Sequence, residues 1–431
     1  MEFHRMTERF ASMAAPAMPH ATIAYHPGQG WKLRYWAIFL GQALSMIGSA
    51  LTQFVLMWWI TDTTGSVSAL ALAGFVALLP QALLAPIGGT LADRYSRRLL
   101  MIGADAISAL CMAVLIWLFL SEQITLWHVY TMMFIRSAMQ AFQQPAASAS
   151  VAMLVPSHFL PRAAGLNQTM IGIMTVAAAP LGALAMSLVP IGWALSIDVF
   201  TAVLGIVPLL IFSVPQRRAS QISKTSLWQE FKEGASLVWH DQGLRRLYLL
   251  MTATILVIMP TYTLVPLLVK NHFGGGAPEV AVLEGLAGAG MIAGGVLIAA
   301  LAPKRAMPWV IWGFAISCIM LGLSGLASHD QFWLAVACFA LSNFCFILGN
   351  GPLMALLQMT IPNHLQGRVL ALMNMLMGLA APVGLALATP LGEVIGVRWL
   401  FVLLGMLGAV ITLVGLLSPT LMRLDKRAHV N

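Results

Sequence analysis

About twelve stretches of this chain, near residues 36–59, 69–91, 99–121, 126–150, 165–189, 193–214, 247–269, 281–302, 309–328, 331–353, 368–390 and 398–421, are apolar. Each comes close to the ~20 residues that a helix needs to cross a bilayer. In hydrocarbon every backbone polar group must be satisfied inside its own segment, so such a chain folds as an all-α integral membrane protein. Composition excludes the soluble alternative. Of 431 residues 59% are hydrophobic and 9% charged, against about 25% charge in soluble domains. A soluble chain of this length would have too little polar surface to cover itself.

The net charge of +8 does not indicate a nucleic-acid partner. Of the 23 Lys and Arg, all but Arg136, Lys270 and Arg398 fall in the termini and the even-to-odd connectors. That asymmetry is a topology signal and places both ends in the cytoplasm. The four cysteines, Cys111, Cys318, Cys338 and Cys345, all lie in apolar segments without C-x-x-C spacing. They read as small buried hydrophobes.

The expected order is a cytoplasmic tail (1–34), six spans (35–214), a polar linker (215–246), six more spans (247–421) and a short tail (422–431). Pro16, Pro19 and Pro27 interrupt the first tail, which lacks the continuous apolar core of a signal peptide. Within the linker, residues 227–234 read as a short amphipathic helix at the membrane surface. An internal repeat supports two six-helix halves. Val155-Pro156-Ser157-His158 through Arg162 matches Ile361-Pro362-Asn363-His364 through Arg368 at one offset, and the same offset carries Gly88-Gly89 onto Gly294-Gly295.

Between the second and third apolar runs stands Gly88-Gly89-Thr90-Leu91-Ala92-Asp93-Arg94-Tyr95-Ser96-Arg97-Arg98. This resembles the signature loop of the major facilitator superfamily, with Ser96 where the family commonly has Gly. Gly41-Gln42 through Ser49, Trp58-Trp59-Ile60-Thr61 and the run from Arg136 to Pro145-Ala146 resemble the branch containing bacterial macrolide-efflux proteins and the enterobactin exporter. The Gly-Pro motif that many drug:proton antiporters carry in span five is only partly kept in Ala179-Pro180-Leu181-Gly182-Ala183. The resemblance implies a twelve-helix fold of two pseudo-repeats, alternating access, a monomer in the bacterial inner membrane, and a signature loop (Gly88, Gly89, Asp93, Arg94, Arg97, Arg98) that latches the halves together.

Charges inside the spans are the strongest functional pointers, because each costs at least ~2.5 kcal/mol at a helix centre. Arg136 lies near the middle of span four, Asp198 in span six and Asp105 in span three. They should face the bundle interior, either as a proton-coupling site or as locks between helices, and Asp105 could brace the loop arginines instead. Arg136, Gln140 and Gln143, spaced i, i+4 and i+7, share one helical face. Gln42, Ser45, Ser49, Thr52 and Gln53 form a comparable stripe in span one. Glu284 reads as a solvated residue at the edge of span eight. No phosphate loop, paired His/Cys set or other catalytic constellation is present, so neither an enzyme, a cofactor nor a metal is expected.

The function expected from these features is proton-driven export of amphipathic organic molecules, drug-like compounds such as macrolides first and a siderophore or other metabolite second. Uptake by symport and a non-transporting scaffold or sensor are the competing classes. The implied partners are a small-molecule substrate, protons and lipid.

Overall fold

The computed structural model describes residues 30–214 and 235–425, apart from 302, 304, 362 and 423. The surface helix expected at 227–234 and the side chain of Asp93 lie outside the described set. Among the described residues all regular structure is helical. The first group is α1 (Trp31–Thr64), α2 (Val67–Arg94), α3 (Arg97–Leu120), α4 (Leu126–Leu154), α5 (Leu160–Leu188) and α6 (Ile191–Ile211). The second is α7 (Gln242–Thr263), α8 (Val265–Phe273), α9 (Ala277–Leu301), α10 (Ala306–Leu326), α11 (Phe332–Thr360), α12 (Asn363–Val414) and the short α13 (Pro419–Met422).

Among the described residues, ten helical segments are long and apolar enough to cross a membrane. Helix α4 is not among them, because the polar stripe from Arg136 to Gln144 dilutes its apolar character. One break differs from the expected boundaries. The run at 247–269 divides at Leu264, since Pro266 follows, lacks an N–H and crowds the preceding turn. The runs at 368–390 and 398–421 remain two helices, the arms of α12, which meet at a kink at Gly396, whose φ of 81° suits glycine. Residues 31–34, expected in the tail, already belong to α1, and residues 242–246, expected in the linker, open α7.

The outer surface is apolar. Leu110, Trp127, Phe200, Leu387 and Val394 are exposed among many others, more than a water-facing monomer sustains. Trp193 and Trp399 are exposed at helix starts or breaks, where aromatic belts form. Cys111, Cys318 and Cys345 are buried, as small hydrophobes are.

Three hydrophobic cores divide the molecule along its length. The largest draws on both helix groups, joining Val67 and Leu70 of α2 to Val265, Leu268, Leu385 and Leu400 at the α1–α2 end. At the opposite end, by the α2–α3 turn, each group keeps a core of its own. One holds Tyr35, Met101, Leu154 and Leu209, and the other Leu244, Met307, Phe314 and Leu357. The groups meet along α2 with α12 and α5 with α9. Gly74 faces Thr263 and Leu385, while Gly285 and Gly288 face Pro180 and Val176. Further towards the α2–α3 end, a Cβ at Gly165, Gly172 or Gly89 would meet nothing within 4 Å.

Polar tethers bind the α1–α2 end across the groups. Lys270 Nζ lies 3.0 Å from Asp62 Oδ1, Asn271 Nδ2 donates to Gly65 O, and Ser68 N donates to Glu393 Oε1 at 2.7 Å. At the other end the arginines of the α2–α3 turn fasten the first group to itself. Arg97 donates to Ala92 O and Ala149 O. Arg98 donates to Leu209 O and Leu210 O, satisfying carbonyls at the end of α6. Ser96 has extended backbone and its hydroxyl accepts from Leu99 N, so it caps α3. This explains how serine serves where the signature loop commonly has glycine.

Asp425 ties the C-terminal segment down in a similar way. Its carboxylate accepts from the backbone N–H groups of Ala306 and Met307 and so caps α10. Asp425→Ala is expected to lower the thermal unfolding midpoint in detergent, a loss of about 1–2 kcal/mol for a helix cap. A midpoint equal to wild type would show that the cap carries no stability.

Candidate functional site

Small residues bring α1 against α6. A Cβ at Gly41 would stand 2.6 Å from Leu204 O, one at Gly48 2.0 Å from Thr201 Oγ1, and one at Gly205 3.1 Å from Ser45 Cβ. Gly41 and Gly48 are spaced i and i+7 and share a face, so the two backbones approach closely along that line. The polar stripe of α1 is thereby carried onto the acids of α3 and α6.

The result is a buried ion pair at the centre of the first group. Arg136 Nη2 of α4 lies 3.1 Å from Asp198 Oδ2 of α6, with side-chain exposures of 8% and 5%. Ser49 Oγ of α1 donates to the other carboxylate oxygen at 3.0 Å. The second guanidinium nitrogen, Nη1, approaches Met112 Sδ at 3.5 Å. Three helices are therefore bridged by one carboxylate, one guanidinium and one hydroxyl. An ion pair this buried persists because each partner supplies what the other would lose on desolvation.

Asp105 belongs to a second network. Gln42 Nε2 donates to Asp105 Oδ2 at 3.0 Å and to Gly205 O at 3.3 Å. Gln143 Nε2 in turn donates to Gln42 Oε1 at 2.6 Å. The expectation that Asp105 could brace the loop arginines is corrected by this contact. Asp105 lies about two turns into α3 and points to the interior, where the glutamine reaches it.

Arg136, Asp198, Asp105, Gln140, Gln143 and Gln53 all line one cavity of about 330 Å3. A second cavity of about 510 Å3 lies between the helix groups. The two share Met46, Ala50, Gln53, Gln144 and Met174 as walls and so adjoin each other. Gln81 Nε2 donates to Gln144 Oε1 at 3.0 Å, tying α2 to the same wall. Thr52 of the α1 stripe is fully buried instead, and among the described residues its hydroxyl has no hydrogen-bond partner.

The sequence reading misses one lining residue and misplaces another. Tyr262 of α7 and Glu284 of α9 face the second cavity. Glu284 is not a solvated edge residue, because α9 begins at Ala277 and places it about two turns inside the helix. The signal that could have found it is Gly274-Gly275-Gly276 followed by Ala277-Pro278-Glu279, a loop passing into a helix start earlier than the apolar run suggests. The Pro and Gly of the span-five segment have packing roles, Pro180 against Gly285 and Gly182 against Phe54.

Residues 38–385 match the family model described as Major Facilitator Superfamily. The chain is 32% identical over 399 residues to macrolide efflux protein A of Streptococcus pyogenes, covering 92% of this chain and 98% of that protein. It is 23% identical to the multidrug efflux pump Tap of Mycobacterium tuberculosis, over 90% of this chain and 94% of that one. Among solved structures, a D-xylose-proton symporter superposes with a TM-score of 0.68 at 16% identity, covering 88% of this chain and 97% of the symporter. An α-helical bundle with an apolar exterior, interior cavities within the first helix group and between the two groups, and sequence kinship along nearly its whole length make this chain a multi-pass membrane transporter of the major facilitator superfamily.

Proposed function

We propose that this transporter exports amphipathic organic compounds, macrolide-like drugs among them, from the cytoplasm in exchange for protons. The observation that carries the reading is the Arg136–Asp198 pair, a titratable acid and a permanent cation buried together on the wall of an interior cavity. A carboxylate is more readily protonated in a dry site and less readily beside a cation. Separating and rejoining such a pair as the protein changes shape therefore loads and releases a proton. The kinship with macrolide efflux protein A supports the direction and the substrate class.

The working architecture has twelve spans, counting α4 and both arms of α12, arranged as a six-helix half within 35–214 and another within 247–421. The positive-inside distribution supports cytoplasmic termini in a bacterial inner membrane. On that orientation the α1–α2 end, where the cores merge and Lys270 meets Asp62, faces outward. The separate cores of the α2–α3 end then flank an inward-facing entrance. Alternating access would rock the halves about the shared cavity, and the protein works as a monomer.

Everted membrane vesicles test the proposal. A radiolabelled macrolide should accumulate when an acid-inside pH gradient is imposed, and a protonophore should release it. Accumulation that ignores the gradient would overturn proton coupling, and gradient-driven loss from the vesicles would indicate uptake instead.

In the outward-facing state the signature loop would latch the halves on the cytoplasmic side, with Asp93 near a helix N-terminus of the second half, where an exposed carboxylate is favoured by up to ~1 kcal/mol. Asp93→Asn should cut transport at normal membrane abundance. Undiminished transport would dismiss the latch.

A further inference from the structure

Glu284 is the one charged residue on the wall of the larger cavity. Among the described residues it has neither an ion-pair partner nor a hydrogen bond, whereas Asp198 is held by Arg136 and Ser49, and Asp105 by Gln42. The walls around it are mainly apolar, with Met46, Met57, Met174, Phe54 and Ile171 on the facing helices, and carry the neutral polar groups of Gln53, Gln144, Thr175 and Thr263. Tyr262 stands on its own side of the cavity and presents an aromatic ring. Taken together, the two cavities carry three carboxyl groups, Asp105, Asp198 and Glu284, against one guanidinium, Arg136.

We propose that Glu284 is the counter-ion subsite for amphipathic organic cations, which lie in the methionine-lined cavity between α1, α4 and α5 on one side and α7, α8 and α9 on the other. The inference rests on reading this cavity as the transport path, and it narrows the substrate class to molecules that join an amine or onium centre to a bulky apolar body. The chemistry is complementary at each point. An unpaired carboxylate in an apolar site binds a poorly hydrated cation strongly. Tyr262 puts an aromatic residue in the same wall, and aromatic rings attract positive charge. Methionines are polarisable and change rotamer readily, so they accommodate apolar bodies of different shape. A volume of about 510 Å3 falls within the range of pockets that enclose drug-sized ligands.

The position of Glu284 also links binding to the meeting of the helix groups. The next residue, Gly285, packs on Pro180, and Gly288 packs on Val176. The carboxylate therefore sits beside the α5–α9 seam, where any rocking of one group against the other changes its surroundings.

Equilibrium binding to the purified full-length protein tests this, with tetraphenylphosphonium as a permanent cation and triphenylphosphine oxide as a neutral probe of similar shape. Wild type should bind the cation at least about tenfold more tightly than the neutral probe, the scale of one charge-assisted contact. Glu284→Gln should lose that preference while keeping its affinity for the neutral probe, and Glu284→Asp should retain part of it. On the wild-type protein, a hydrophobic carbodiimide should label the peptide that contains Glu284, and tetraphenylphosphonium should protect it. Equal affinity of wild type for both probes, an unchanged preference in Glu284→Gln, or labelling that the cation does not slow would each overturn the proposal. Cation binding that depends on Glu284 in a protein showing no gradient-driven flux would uphold the subsite and refute proton-coupled export. Gradient-driven macrolide export with no charge preference in binding would do the reverse.

Discussion

Asp198→Asn is expected to abolish pH-gradient-driven accumulation of a macrolide in everted vesicles, bringing it to the level seen without a gradient, while substrate binding to the purified protein persists. The amide oxygen can still accept from Arg136 Nη2, and the amide NH2 can donate to the Ser49 hydroxyl, replacing carboxylate contacts of 3.1 and 3.0 Å, but the side chain cannot take up a proton. Arg136→Ala should damage both transport and binding. It removes the cation that organises α4 against α6 and leaves a buried carboxylate without its partner, a loss of about 3–5 kcal/mol in comparable pairs. The paired change Arg136→Gln with Asp198→Asn separates the two effects, because it leaves no unbalanced charge. It should recover membrane abundance and remain uncoupled. Full gradient-driven export by Asp198→Asn would move the proton to Asp105 or Glu284.

The second large effect belongs to a pair of adjacent glycines. Gly88→Ala should lower the thermal unfolding midpoint markedly, whereas Gly89→Ala should leave it close to wild type. A Cβ at Gly88 would fall 1.9 Å from Ala141 O and 2.8 Å from Ala141 C, both backbone atoms of α4 that no side-chain rotation can move aside. Helix α2 must then withdraw from α4, a strain of about 1–3 kcal/mol or more. At Gly89 the same atom would meet nothing within 4 Å, and alanine is the better helix former by about 1 kcal/mol. The second group shows the same asymmetry. A Cβ at Gly294 would lie 2.6 Å from Phe344 O, and at Gly295 the nearest atom is Ile347 Cγ2 at 3.9 Å. Equal midpoints for the two α2 variants would mean that the close α2–α4 approach does not hold the bundle together.

The glycine pairs also show how far the linear chain could be read. Gly88-Gly89 and Gly294-Gly295 mark close approach of helices, but the sequence does not say which member of each pair meets a neighbour. A rotation of about 100° between successive residues decides that, and only the packed helix fixes the rotation. Similarly, Arg136, Asp198 and Asp105 stand out as charges too costly to leave in lipid, yet their pairing is not legible. The partner of Arg136 lies on a helix that is distant in sequence, and so does the glutamine that reaches Asp105.

What the sequence by itself determined is the membrane setting, the helical class and the family, because these follow from one-dimensional quantities: the length of apolar runs, their charge asymmetry and the Gly88–Arg98 motif. It also singled out the polar face of α4 and the stripe of α1, since helical periodicity is local. Tertiary structure alone decided three things. It chose Asp198 over Asp105 as the partner of Arg136. It joined the two helix groups at the α1–α2 end and kept separate cores at the other. It also turned Glu284 from an apparent edge residue into a wall of the central cavity. Each depends on which helix faces come together, and that is set by side-chain volumes and glycine approaches summed over the whole bundle, which no local stretch of sequence carries.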